Sequence, residues 1–200
     1  MKIEEKILQK ILFQSNGFEE AEFSNIDFEK LTRITSKNLM LPSLYINLSR
    51  KNLIKFIPKD FYKYLKYVYN INKKRNIELI KESNEIAALF SRFKIKYCFI
   101  KGTSNLLNNI YFDVGERMVG DLDFLIDEEN SKSVMKLLRE NKYENSDGYH
   151  YKNFRHLNRL IKENSLFAIE PHINITNKNY NELKSSDILK NSKAVKKNYV

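Results

Sequence analysis

Asp121 and Asp123 stand two residues apart in the run MVGDLDFLI, Met118 to Ile126. Side chains alternate across a strand, so both carboxylates project from one face and Leu122, Phe124 and Ile126 from the other. Like charges held side by side are either solvated or neutralised by a cation. Mg2+ takes carboxylate oxygens and keeps positions open for water and substrate phosphates. A second alternating run, FAIEPHINIT, puts Glu170 and His172 on one face and Phe167, Ile169, Ile173 and Ile175 on the other. Glu170 is thus either a third carboxylate for metal-assisted deprotonation of a hydroxyl or an exposed residue in a salt bridge. His172, like His150 and His156, also reads as a hydrogen-bonded structural histidine. Three scattered histidines with one cysteine do not make a zinc motif.

The run FIKGTS precedes these residues. Gly102 permits close backbone approach, and Thr103 with Ser104 opens a helix whose N–H groups face an anion. This is either a triphosphate cradle or an ordinary strand-to-helix turn with a hydroxyl cap. Arg117, four residues before Asp121, is in reach of a phosphate or of the carboxylates.

The elements that must position these groups are of two kinds. Residues 1–93 read as helical. IEEKILQKILF places Ile3, Ile7, Leu8, Ile11 and Leu12 on one helical face, and Asp27 is an N-cap for DFEKLTRITSKNLM. The segment from Pro58 to Phe93 reads as one long helix, or two joined near Asn70 to Asn76. At Lys94 the pattern changes. KIKYCFIKG is a short strand and turn, TSNLLNNIYF a helix, GDLDFLI a strand, and EENSKSVMKLLRENKY a helix with acids in its first turn. NSDGY is a turn, and FRHLNRLI with LFAIEPHINIT forms a hairpin across KENS. A polar stretch follows Thr176, with a short helix near Tyr180 to Lys190. The expected class is α+β: a helical region over 1–93, a small mixed-sheet core over 94–176, and a polar C-terminal helix and tail over 177–200.

The chain has 200 residues, enough for one large domain or two small ones, and its 13 Phe and 12 Tyr supply a core. The net charge of +10 is uneven. Residues 51–100 hold 12 Lys/Arg against 4 Asp/Glu, residues 101–150 hold 6 against 10, and residues 151–200 hold 10 against 4. Acidic residues therefore gather around GDLDFLI, and basic residues flank them. That suits a polyanionic substrate such as a nucleotide or RNA, although solvated lysines in a Lys- and Asn-rich chain give the same count. The single Cys98 excludes an intrachain disulfide and fits a reducing compartment. No apolar run approaches the roughly 20 residues needed to span a bilayer. The N-terminus breaks its apolar run too often for a signal peptide, so the expected address is the cytoplasm.

The order of FIKGTSNLL, RMVGDLDFLI, FRHLNRLI and AIEPHI resembles the uncharacterised nucleotidyltransferase family of the DNA polymerase beta-like superfamily. The helical lead-in, including NLMLPSLYINL, is similar as well, and the resemblance covers roughly residues 30–175. It implies a nucleotidyltransferase fold and a metal-dependent enzyme. Asp121 and Asp123 would hold two Mg2+ (Mn2+ as a substitute) with the triphosphate of an NTP, ATP foremost. Glu170 would complete the acceptor-side metal and help deprotonate the attacking hydroxyl. Gly102, Thr103 and Ser104 would cradle the phosphates, with Lys101 and Arg117 offsetting their charge and His172 beside the nucleotide. The acceptor would be an RNA 3′ end, a small molecule or a protein hydroxyl.

Three departures bear on this. The turn pair is Gly102-Thr103, with Ser104 next, where superfamily members often carry Gly-Ser or Gly-Gly. Pro171 cannot donate to a strand ladder, so its strand is expected at an edge or bulged. The region after Thr176 is short and polar, where relatives often continue with helices. These leave an alternative: a non-catalytic nucleotidyltransferase-fold protein binding nucleotide, RNA or a protein partner. A third reading is a helical module that docks a partner through residues 1–93.

Overall fold

A computed structural model describes residues 2–14, 16–146, 155–176 and 183–193. His150 and the start of the helix expected near Tyr180 lie outside the described residues. The chain forms two compact units, residues 1–77 with 111–118, and residues 78–110 with 119–200.

The first unit is helical. It contains α1 (Ile3–Phe13), α2 (Ala21–Ser24), α3 (Phe28–Lys37), α4 (Leu41–Arg50) and the first part of α5 (Lys59–Arg92). The expected cap holds, since the Asp27 side chain accepts from the Lys30 N–H at 2.9 Å. The apolar stripe of α1 buries Ile7, Leu8 and Ile11 against Leu31, Leu44, Leu48 and Leu65, whereas Ile3 at its start stays exposed. Glu4 is buried too, and Lys30 neutralises it at 2.6 Å. α5 runs unbroken. It contains no Pro or Gly, and within the stretch Asn70 to Asn76 where a junction was an alternative, Asn72 and Asn76 are buried anchors one turn apart. Their amides donate to the carbonyls of Gly115, Val114 and Arg117. The segment 111–118 is thereby tied to α5, with Asp113 accepting from Tyr69 and Lys73.

Gly115 permits that close approach. A Cβ there would lie 2.6 Å from the Tyr69 ring and 2.8 Å from Lys73 Cβ. Gly115→Ala is therefore expected to lower stability by about 1–3 kcal/mol, read as a shift in the urea midpoint. An unchanged midpoint would show that the segment can move away freely.

The second unit carries the rest of α5, then β1 (Tyr97–Phe99), α6 (Lys101–Leu107), β2 (Leu122–Ile126), α7 (Ser131–Glu140), β3 (Tyr143–Asn145), β4 (Leu160–Lys162), β5 (Ile169–His172) and α8 (Ser185–Asn191). The strands form a five-stranded mixed sheet in the order β1-β2-β5-β4-β3. β2 and β5 pair in parallel, and β1–β2, β3–β4 and β4–β5 pair antiparallel. The α+β class expected from the sequence is what forms. On the even-numbered face of β2, Phe124 meets Phe90 of α5 edge-on at 5.2 Å. On the odd-numbered face Leu125 packs with Ile100 and with Leu189 of α8.

Two local expectations are corrected. The helix expected through Tyr143 ends at Glu140, because Lys142 takes a left-handed φ of 67° and turns the chain into β3. Tyr143, read from sequence as the helix end, is the buried first residue of that strand. The acids Glu128 and Glu129 form a separate 3-10 turn before α7 rather than its first turn.

Pro171 sits in a central strand, and the pairing explains how. Ile169 pairs with Leu160 and His172 with His156. Residues 169 to 172 advance three positions while 160 to 156 advance four, so the β4 side carries one extra residue, a bulge. The Pro171 carbonyl accepts from Leu157 at 2.8 Å. In a strand, N–H and C=O of one residue point the same way, so the missing N–H of Pro171 also faces the bulge. The edge toward β2 is left to Ala168, Glu170 and His172, and the Ala168 carbonyl accepts there from Leu122 at 2.9 Å.

One half-buried acid in this unit is Glu82. Burial pushes the Glu82 carboxyl upward, against the opposing hydrogen bonds from Tyr143 and Ser165. A raised carboxyl stabilises the fold fully below the unfolded pKa, about 4.3, and that contribution is lost as pH rises through the folded value. Glu82→Gln should therefore gain about 1 kcal/mol over the parent at neutral pH, allowing for screening of this half-buried group. The gain should vanish near pH 4. Melting curves at both pH values test this, and an equal gap at both would remove the explanation.

Candidate functional site

The parallel register of β2 and β5 sets Asp123 directly opposite Glu170, and Leu125 opposite His172. Partners across a ladder share a face, so three polar side chains from two strands converge. One ligand atom from each of Asp123, Glu170 and His172 lies within 4.8 Å of the others. His172 Nε2 is 2.9 Å from Asp123 Oδ1 and 3.1 Å from Glu170 Oε2. Asp123 and His172 are buried, at 7% and 1% exposure.

A fourth group completes the cluster. Lys101 Nζ lies 2.6 Å from Asp123 Oδ1, 3.3 Å from Glu170 Oε2 and 3.1 Å from His172 Nε2. Lys101 reaches it because the chain turns abruptly between β1 and α6. Its own φ is +53°, a left-handed conformation that costs a non-glycine residue on the order of 1 kcal/mol. Gly102 is not the strained residue of the turn. It sits close to Val119, whose Cγ1 a Cβ at this position would meet at 3.0 Å.

The charges are interdependent. Glu170 is held well below the usual carboxylate range, first by its hydrogen bond with His172 and then by Lys101 and the nearby His156, against the opposing effect of burial. Burial works against a charge on His172, but its hydrogen bonds to Asp123 and Glu170 outweigh it and raise its pKa. Carboxylates only accept, so Nε2 carries the hydrogen here. Nδ1 is buried and has no hydrogen-bond partner among the described residues.

The remaining sequence candidates take distinct places. Asp121, one residue before β2, is paired with Arg159 and is not part of the three-ligand cluster. Thr103 is fully buried, and its hydroxyl is used by the start of β2. It donates to the Asp121 carbonyl at 3.2 Å and accepts from the Asp123 N–H at 3.0 Å. Ser104 accepts from Asn108 at 2.8 Å through its carbonyl, and lines a cavity of about 320 Å3 with Lys101, Asn105, His172 and Ile175. Arg117 is exposed and lies in the other unit, where its backbone carbonyl accepts from Asn72 and Asn76. Sequence reasoning missed Arg159. Its signal is present in FRHLNRLI, where a basic residue directly precedes β4, but nothing local says which acid it meets.

Two carboxylate oxygens and, once Nε2 has given up its hydrogen, one imidazole nitrogen on adjacent strands form a donor set that fits a divalent cation. The cavity beside them is of the size small-ligand sites have. Among the described residues, no helix is long and apolar enough to cross a membrane.

A family model described as uncharacterised nucleotidyltransferase matches residues 24–199. Comparison with curated proteins and with solved structures gives no match. The matched span covers most of the chain, which therefore belongs to that family, and nucleotidyl transfer is its class of activity.

Proposed function

We propose that this member of the uncharacterised nucleotidyltransferase family moves a nucleoside monophosphate from an NTP, ATP foremost, onto a hydroxyl and releases pyrophosphate. The observation that carries the reading is the convergence of Asp123, Glu170 and His172 within 4.8 Å in a chain of this family. Asp123 and Glu170, with Asp121 at the end of the same face, would hold Mg2+ or Mn2+, and the imidazole of His172 adds a nitrogen donor. Bound there, the ions would neutralise the triphosphate and favour both the attacking and the leaving oxygen. The chain's own groups supply the rest. Thr103 fixes the start of β2 so that Asp123 keeps its aim. Lys101 and Ser104 line the cavity, and there they would meet the phosphates. In the reaction the acceptor oxygen bonds to the α-phosphorus, the bond to pyrophosphate breaks, and the hydroxyl proton passes to a carboxylate, Glu170 being the candidate. Rate enhancement comes from positioning and fixed charge. The basic flanks of the sequence favour an RNA acceptor over a small molecule or a protein hydroxyl.

One observation favours the non-catalytic reading. Asp121 is engaged by Arg159, and an aspartate held in an ion pair is less free to ligate. The test is incubation with each α-labelled NTP and Mg2+, alone and with total RNA or lysate. Label transfer lost in Asp123→Asn supports the enzyme. Nucleotide binding without transfer under every condition supports the alternative.

A further inference from the structure

We infer that Lys101 is the resident counter-ion of this site, and that a divalent cation binds by displacing its ammonium from Asp123 and Glu170, with His172 Nε2 releasing its proton to solvent where it joins the ligand set. This rests on the metal-binding reading above and adds to it a competition within the chain itself. The ammonium nitrogen is within 3.3 Å of all three ligand atoms that would hold an ion. Two cations cannot share that position, since unit charges at contact in a partly buried site repel strongly.

The asymmetry of burial says which partner moves. The Lys101 side chain is 45% exposed, whereas those of Asp123, Glu170 and His172 are 9%, 16% and 1% exposed. Carboxylates held this deep require a cation, because an uncompensated buried charge is strongly destabilising. A half-exposed lysine on a flexible stem can swing to solvent and remain hydrated. It can then meet a triphosphate entering the cavity that its own residue lines. Lys101 thus keeps the free protein neutralised, opposes metal binding without nucleotide, and becomes a phosphate ligand when metal and nucleotide arrive together. Its left-handed φ of +53° marks the turn from which the stem reaches Asp123 of β2.

The test is calorimetric titration of MnCl2, without nucleotide, into the parent, Lys101→Met, Lys101→Arg and the double variant Lys101→Met/Asp123→Asn. Lys101→Met should bind Mn2+ about tenfold or more tightly than the parent, and Lys101→Arg, which keeps the charge, should stay weak. The double variant should lose the gain, which assigns it to this site. A second readout needs no variant. Acylation of Lys101 by an amine-reactive reagent, followed by peptide mass spectrometry, should rise severalfold when MnCl2 is added to the parent. If the parent binds Mn2+ and Lys101→Met binds no tighter, the competition is overturned while the metal-binding reading stands. If no variant binds Mn2+, both fall.

Discussion

Asp123→Asn is expected to reduce nucleotidyl transfer by about 10³-fold or more, a loss of roughly 4 kcal/mol of transition-state stabilisation. The size follows from the placement of its carboxylate. Oδ1 is shared by Lys101 at 2.6 Å and His172 at 2.9 Å, and the side chain is only 9% exposed. An amide of the same shape keeps the volume but removes the negative charge. It also places a donor on one side of a cluster in which Lys101 and His172 already donate. The parent fold should survive, because β2 is held by its apolar residues and by the Thr103 clamp on its backbone. The comparison to make is single-turnover transfer beside circular dichroism and nucleotide affinity. Loss of rate with intact folding and nearly unchanged nucleotide affinity assigns Asp123 to the chemistry. Retention of parental transfer would remove the proposed site, since Asp123 Oδ1 is the carboxylate oxygen that both Lys101 and His172 approach most closely.

Phe90→Ala should produce the largest loss of stability, about 3–5 kcal/mol, equivalent to some 6–20 °C in Tm at roughly 2–4 °C per kcal/mol. Phe90 is fully buried on α5 and meets Phe124 at 5.2 Å and Tyr97 at 5.3 Å, both edge-on. It supports the strand from behind, because Phe124 is the residue between the two whose partners on β5 are Glu170 and His172. Truncation removes an aromatic ring from a close-packed contact and leaves a cavity that the sheet cannot fill without moving β2. Leu would retain part of the volume, so Phe90→Leu should lose less than half as much. Denaturant midpoints for the pair measure this. Equal losses for Ala and Leu would mean that ring geometry, not volume, governs the contact.

The pairs of residues that matter most were unequally legible. Asp121 and Asp123 were visible through period-two alternation, and Glu170 with His172 through the same rule. All four do belong at or beside two neighbouring strands. Their division into a converging set and a residue paired elsewhere was not visible. Arg159 claims Asp121 from a segment whose register depends on a bulge, and a bulge has no local sequence mark beyond Pro171 itself. Thr103 looked like a phosphate contact because hydroxyls at helix starts commonly face anions. Its burial against β2 comes from packing between distant segments.

The sequence by itself determined the class of the fold, the helical first half, the places of the strands that carry acids, and the family, because these follow from short-range periodicity and from the order of compact motifs. The tertiary structure decided the rest. It put β5 parallel to β2, set Asp123 opposite Glu170, absorbed Pro171 on the bulged side, and brought Lys101 into the centre of three ligand atoms. Those outcomes depend on which strands pair and in what register, an energy summed over many non-local contacts. No stretch of residues read alone contains it.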